Sequence, residues 1–234
     1  MISIVIPTLN EETYLPKILQ SIKQQGMHTE VIVADGGSSD RTEKIARQFG
    51  AKVVKGGLPG IGRNAGAKVA RGDIICFFDA DVILPKGFLK KNIQEFQSYH
   101  LDMATTFVKE DSNRLDDWII HRLWNLCYIL FSRIRAFGCG FHIIVKKSWF
   151  KNVGGFDESI LLGEDYDFTS RCHKAGARFG VLRGLPIIVS VRRLKKEGRL
   201  LFVIKMIGAF VYTMLCGPIR TNIFHYELGN HKLG

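Results

Sequence analysis

Several things are scarce in this chain of 234 residues, and each scarcity excludes something. Cysteine is sparse and scattered: the 5 cysteines (Cys76, Cys127, Cys139, Cys172, Cys216) show no pair at metal-finger spacing, and Cys76 lies inside an apolar run. That pattern excludes a zinc ribbon or a disulfide scaffold and fits reduced thiols in a cytosolic setting. No low-complexity tract and no internal repeat is present. The opening residues, Met1-Ile2-Ser3-Ile4-Val5-Ile6-Pro7, lack a basic region followed by a long apolar one, so they read as a strand rather than a signal peptide. Acidic residues are outnumbered, 22 against 33 Lys and Arg, for a formal net charge of +11. That surplus predicts attraction to an anionic partner: nucleic acid, a phosphorylated substrate or an acidic membrane surface. Otherwise the composition is ordinary, 46% hydrophobic and 24% charged, enough for one large domain or two small ones.

What is present is organised around Ile74-Ile75-Cys76-Phe77-Phe78-Asp79-Ala80-Asp81-Val82. Five apolar residues run into two carboxylates one residue apart. The apolar run reads as a strand buried on both faces. Asp79 and Asp81 then lie where that strand leaves the sheet, the edge at which open α/β sheets bind ligands. Two carboxylates so spaced can share one hard cation such as Mg2+ or Mn2+, although the same pair also occurs as a solvated turn.

Strands and helices alternate around this stretch. Ile2 to Ile6, Glu30 to Ala34 and Lys52 to Val54 read as strands. Helices follow each, one with Leu15, Ile18, Leu19 and Ile22 on a single face, one opened by Asp40 as a cap with Glu43 three residues on, and one rich in small residues through Ala65, Ala67 and Ala70. The alternation predicts a three-layer α/β/α sandwich around a mainly parallel sheet. Later elements are a helix after Pro85, strands over Met103 to Val108 and Phe141 to Val145, an apolar helix from Trp118 to Phe131, a helix opened by Gly163-Glu164-Asp165, and strands over Arg178 to Leu182 and Ile187 to Val191. Residues 1–191 form the expected main domain, with halves at 1–100 and 101–191. Residues 192–234 form a tail. Its basic lead-in (Arg192, Arg193, Lys195, Lys196, Arg199, Lys205) merges into an apolar run from Leu200 to Gly217. That run reads as an interfacial helix, a buried core helix or a short membrane span, and the flanking basic charge favours an anionic membrane surface.

Five features carry the chemistry: Pro7-Thr8-Leu9-Asn10-Glu11, Asp35-Gly36-Gly37-Ser38-Ser39-Asp40, Arg63-Asn64-Ala65-Gly66, Asp79-Ala80-Asp81 and Gly163-Glu164-Asp165. Their order and spacing over roughly residues 1–180 resemble the family 2 glycosyltransferases, which have the glycosyltransferase-A fold. The resemblance implies an enzyme using a nucleotide-diphosphate sugar, a UDP- or GDP-sugar, with divalent Mn2+ or Mg2+. It implies that Asp81 ligates the metal with Asp79 close by the nucleoside, that Pro7, Thr8, Glu11 and Asp35 surround base and ribose, and that Arg63 faces the donor. Glu164 and Asp165 match the family's acid pair, Asp165 being the base, and the reaction would invert the anomeric carbon. The second loop departs from the two adjacent aspartates common in the family, since Gly36 follows Asp35. His225 or His231 could add a late metal ligand. The expected acceptor is a hydroxyl or phosphate, lipid-linked, at the cytoplasmic face of the membrane, with no nucleic acid partner.

Simpler readings stand beside these. Asp35 can hold a turn, Glu164 and Asp165 can be first-turn charges on a helix, Arg63 can be a solvated surface residue, and Asp157 and Glu158 can be surface charges. A sugar nucleotidyltransferase shares the topology but calls for a Gly-rich loop where Pro7-Thr8-Leu9-Asn10 stands. A basic binding module on an inactive transferase fold is the non-enzyme alternative.

Overall fold

The structure is a computed structural model, and it describes residues 1–132, 141–224, 227–228 and 231–232. In chain order the first half holds β1 (Ile2–Thr8), α1 (Leu15–Lys23), β2 (Thr29–Asp35), α2 (Thr42–Gln48), β3 (Lys52–Lys55), α3 (Pro59–Val69), β4 (Ile74–Phe78), β5 (Val82–Ile83) and α4 (Phe88–Ser98). The second half holds β6 (Met103–Glu110), α5 (Leu115–Phe131), β7 (His142–Lys146), α6 (Lys147–Asn152), α7 (Glu164–Lys174), β8 (Phe179–Val189), α8 (Arg192–Glu197) and α9 (Arg199–Cys216).

One sheet of eight strands, in the order β3-β2-β1-β4-β7-β6-β8-β5, runs through the molecule. The pairs joining β3, β2, β1 and β4 are parallel, as the βαβ alternation demands. β7 is antiparallel to both its neighbours, and β5 is antiparallel to β8, so the sheet is mixed though mostly parallel.

Period-two alternation sorts the strands onto two cores. Ile4, Ile6, Cys76 and Phe78 face one side, where α1 and α4 lay down Leu15, Ile18, Phe88 and Phe96. Val5, Ile75 and Phe77 face the other, against Ala67 of α3 and Phe168 and Cys172 of α7. Both faces of β4 are therefore covered, which is why its sequence is unbroken apolar. Each fully buried Phe contributes about 1.5–3 kcal/mol. Burial pushes the thiols of Cys76 and Cys172 up to about 12, so both are inert, and Cys76, Cys127, Cys172 and Cys216 are all free. Cys139 lies outside the described residues.

Three local expectations differ. Asp40 does not cap α2: Arg41 holds that position, and the Asp40 carboxylate instead accepts from the Thr42 and Glu12 backbone N–H groups, clasping the first two exit loops together. The two late strands are one, β8, whose ladder with β6 jumps from Thr106–Leu182 to Val108–Ile187. Pro186, without an N–H, falls inside the jump, and the Arg183 and Gly184 N–H groups turn to the Glu95 carboxylate. The apolar tail run is not a core helix. α9 spans 18 residues with mean hydropathy 1.8, and only 6% of it is buried. By length and composition it is apolar enough to cross a membrane.

Candidate active site

Each strand exit on the β4 side of the sheet delivers one part of the site. β1 ends in Pro7-Thr8, and Pro7 packs against α3 where a Cβ on Gly62 would lie 3.0 Å from the Pro7 ring. Pro7 is thus placed at the cleft wall by packing. Thr8 is buried, and its hydroxyl donates to Asp35 Oδ1 at 3.2 Å. Asp35 Oδ2 accepts the backbone N–H groups of Gly37 (3.1 Å) and Ser38 (2.9 Å), and Oδ1 accepts the Ser38 hydroxyl at 2.5 Å. The Asp35 carboxylate therefore holds its own loop, while keeping that loop beside Thr8.

Arg63 is not a solvated surface residue. It projects from α3 into the cleft and is 2% exposed. Its guanidinium donates to Asp79 Oδ1 at 2.9 Å and, by its other branch, to Glu164. The Phe156 ring lies 5.5 Å beneath it. Burial opposes the charge on Arg63, but Glu164, Asp79 and Asp165 outweigh it and raise its pKa. A planar fork bridges two carboxylates in a way an ammonium cannot. One buried arginine thus ties the end of β4 to the start of α7, and Arg63 itself lies 101 residues before Glu164.

Gly163, with φ +82°, turns the chain into α7, so that Glu164 and Asp165 occupy its first turn. Glu164 is buried on Arg63. Asp165 is half-buried, also within electrostatic reach of Arg63, and its Oδ1 accepts the Tyr166 N–H at 2.8 Å. These are more than first-turn charges, since Glu164 reaches across the cleft to the Asp79 loop through Arg63. The pKa of Asp79 is raised, chiefly by burial, with Asp81 adding and Arg63 opposing.

Asp81 and Glu11 form a second cluster, and its cation is Arg192, which the sequence assigns to a basic surface stretch. Arg192 Nε lies 2.8 Å from Asp81 Oδ2. Its two terminal nitrogens donate to Glu11 at 2.8 and 2.5 Å. The Tyr14 ring sits 4.5 Å from the guanidinium carbon. Glu11 is buried, and burial raises its pKa although Arg192 pulls the other way. Arg192 and Tyr14 escaped sequence reading because nothing local marks them; Glu11 and Arg192 are 181 residues apart. Asp157 pairs with Arg220 at 2.8 Å, and Glu158 accepts from Asn64 at 2.9 Å, so both serve to hold the loop before α7.

Asp79 and Asp81 supply hard oxygen donors of the kind Mg2+ and Mn2+ take. Each carboxylate has one oxygen on a guanidinium. Among the described residues no group of three His, Cys, Asp or Glu side chains is gathered as a ready metal cage. The pair fits a cation that completes its shell with water and substrate phosphates. His225 lies outside the described residues; His231 falls in a short terminal pairing of Glu227–Leu228 with His231–Lys232.

The arrangement is an open-sheet cleft with carboxylates and arginines at the strand ends, the design of a glycosyltransferase-A-type α/β enzyme. A family model described as "Glycosyl transferase family 2" matches residues 3–154. The chain belongs to glycosyl transferase family 2. Among relatives, the 4,4'-diaponeurosporenoate glycosyltransferase of Staphylococcus haemolyticus is 47% identical over 92 residues, covering 36% of this chain and 24% of that protein. YfnE of Bacillus subtilis, an uncharacterized glycosyltransferase, is 33% identical over 82% of this chain and 64% of its own length. The chain spans only 24% and 22% of the first relatives it matches. Two solved structures share the fold. Staphylococcus aureus TarS in complex with UDP-GlcNAc has TM-score 0.69 at 23% identity, over 90% of this chain and 66% of that one. The mannosyltransferase PcManGT of Pyrobaculum calidifontis, in complex with GDP-Man and Mn2+, has TM-score 0.71 at 17% identity, over 88% and 61%.

Proposed function

We propose that this chain transfers a sugar from a nucleotide-diphosphate sugar, a UDP- or GDP-sugar, to a hydroxyl or phosphate on a lipid-linked acceptor, with inversion at the anomeric carbon. The observation that carries this is the convergence of Asp79, Asp81, Glu164 and Asp165 on one cleft, with Arg63 joining Asp79 to Glu164 and Arg192 holding Asp81. The UDP-GlcNAc complex of TarS and the GDP-Man and Mn2+ complex of PcManGT support the donor class.

In this reading Thr8, Pro7 and the Asp35 loop form the wall for the nucleoside. Asp165 takes the proton from the acceptor hydroxyl as its oxygen attacks the anomeric carbon. The bond from that carbon to the diphosphate oxygen breaks, and the nucleoside diphosphate leaves with the electron pair. A positioned carboxylate of this kind contributes about 10²–10⁴-fold. Glu164, locked on Arg63, keeps the first turn of α7 aimed at the cleft. A divalent cation held by Asp79 and Asp81 would supply positive charge for the departing diphosphate.

A lipid-borne acceptor is supported by what borders Asp165. The next residue, Tyr166, packs against Phe210 of α9 (ring centroids 6.1 Å), and its hydroxyl lies 3.2 Å from Met214 Sδ. α9 exposes Leu200, Leu201, Ile204, Ile207, Val211 and Leu215 beyond that contact. With basic α8 leading into it, α9 is suited to lie at an anionic membrane interface, which would put the protein at the cytoplasmic face with residues 192–234 as its docking tail.

The test is thermal unfolding with UDP, GDP, ADP or CMP, each with Mn2+ or EDTA. Saturation at about 100 times the dissociation constant adds roughly 2.7 kcal/mol. We expect a rise with UDP or GDP that is lost in EDTA and in Asp81→Ala, and turnover lost in Asp165→Asn with that rise kept. No rise with any nucleotide overturns the reading.

A further inference from the structure

Arg192 is placed where a divalent cation would act. Its guanidinium spans Asp81 and Glu11, at 2.8 Å to Asp81 and 2.8 and 2.5 Å to Glu11. The residue is pinned there by backbone pairing. Val82 and Ile83, directly after Asp81, pair with Val189 and Ile188, three and four residues before Arg192. The Ser190 N–H donates to the Asp81 carbonyl at 3.1 Å, and the Arg192 N–H donates to Ser190 Oγ at 3.2 Å. Whatever binds in the cleft, the Arg192 guanidinium stays within one side-chain length of Asp81.

Two cations cannot share one carboxylate without strong mutual repulsion in a partly buried cleft. Of the two guanidiniums on this carboxylate pair, Arg63 is 2% exposed and held by Glu164 as well, whereas Arg192 is 23% exposed, so a metal ion arriving at Asp81 turns Arg192 away. The displaced guanidinium keeps Glu11 on its two terminal nitrogens and needs a second anion for the Nε–H that Asp81 gave up. A nucleoside diphosphate is an anion that enters with the cation, and its phosphate oxygens match the guanidinium fork.

We propose that Arg192 is a positioning residue that exchanges partners, holding Asp81 when the cleft carries no donor and turning to the donor's diphosphate when cation and nucleotide bind together. This rests on the nucleotide-sugar reading above. Its consequence is coupling. The metal alone binds weakly because it competes with Arg192, nucleotide removes the competitor, and by linkage each ligand tightens the other. Removing the guanidinium must then move two affinities in opposite directions, which loss of a structural ion pair would not do.

The experiment uses the full chain, wild type and Arg192→Gln. Mn2+ alone is titrated by electron paramagnetic resonance, and then UDP and GDP are titrated by calorimetry at saturating Mn2+. In Arg192→Gln we expect Mn2+ alone to bind about 5-fold tighter or more, and the nucleotide to bind correspondingly more weakly, on the scale of ordinary coupling factors. Any other combination overturns the proposal, including both ligands weakened, which is the mark of a structural role. Arg192→Lys keeps the charge without the fork. Should Arg192→Gln not fold, the lysine variant must shift both constants in the same two directions, and unchanged constants overturn the proposal. Wild-type protein that binds neither nucleotide overturns the donor reading and this inference together. Wild-type protein that binds nucleotide with constants equal to those of the variant overturns this inference alone.

Discussion

Arg63 carries more of the site than any other single side chain. It is 2% exposed, and its partners keep limited contact with solvent, 24% of the side chain for Asp79 and 11% for Glu164. Replacing it with Met keeps the apolar contact to Phe156 but strands two carboxylates. Breaking a buried pair in this way costs about 3–5 kcal/mol. In urea unfolding we expect Arg63→Met to lose stability on that order at neutral pH. The loss should shrink on acidification. With Arg63 gone, the folded-state pKa of Asp79 rises further above its unfolded value, so the associated stability is present at low pH and falls away as pH rises. A loss that is the same at pH 5 and pH 8 would show that the carboxylates do not depend on this counter-ion.

Among the elements, α3 sets the depth of the cleft because it lies unusually close to β1. A Cβ at Gly66 would fall 2.3 Å from Val5 Cγ1, and one at Gly62 would fall 3.0 Å from Pro7 Cβ. Both glycines face the sheet one turn apart, and Arg63 follows Gly62 directly. Gly66→Ala sets an overpacking cost of about 1–3 kcal/mol against a gain in helix propensity of about 1 kcal/mol. We expect a net loss of about 1 kcal/mol in urea unfolding, recovered when Val5→Ala is combined with it. A double-mutant cycle without coupling would place the strain elsewhere. The alternating strands and helices of the first 80 residues are legible in the sequence because each βαβ unit repeats one local rule. β7 is legible as a strand over Phe141 to Val145 but its direction is not, since a strand buried on both faces shows the same pattern whether it runs parallel or antiparallel. The break in β8 reads as two strands in sequence because Pro186 and Gly184 look like a turn, whereas Glu95 of α4 rescues the freed N–H groups and the strand continues.

For the whole molecule, charge and apolar surface coincide. The net charge is +11, and α9 follows basic α8 with most of its apolar side chains in solvent. α5 adds Trp118, Ile119, Leu123, Leu126 and Leu130, all exposed, and Arg199 at the start of α9 pairs with Asp117 of α5 at 2.8 Å. On the proposed membrane placement, the protein should co-sediment with vesicles containing anionic lipid. Raising salt from about 0.1 M to about 1 M cuts the Debye length from about 10 Å to about 3 Å and should weaken that binding. Ile204→Lys with Ile207→Lys should weaken it further while leaving nucleotide-induced stabilisation intact. Equal binding to neutral and anionic vesicles would remove charge from the account, and no binding to either would remove the membrane.

The strand pattern, the small-residue helix and the five loop motifs are local, so the α/β architecture and the loops at the strand exits can be read along the chain. Asp79 and Asp81 could be named from it because they sit at a strand exit that the apolar run reveals, and Glu164 and Asp165 because the order of the motifs resembles the family's acid pair. Which cation serves which carboxylate follows from the packed fold alone. Arg63 could have been a surface residue and Arg192 a membrane-facing one; Arg63 became a buried counter-ion and Arg192 a half-buried one because the fold brought segments 101 and 181 residues apart to the same edge. An ion pair leaves no periodicity in sequence, and a guanidinium's partner is set by where the backbone ends, which is a property of the sheet.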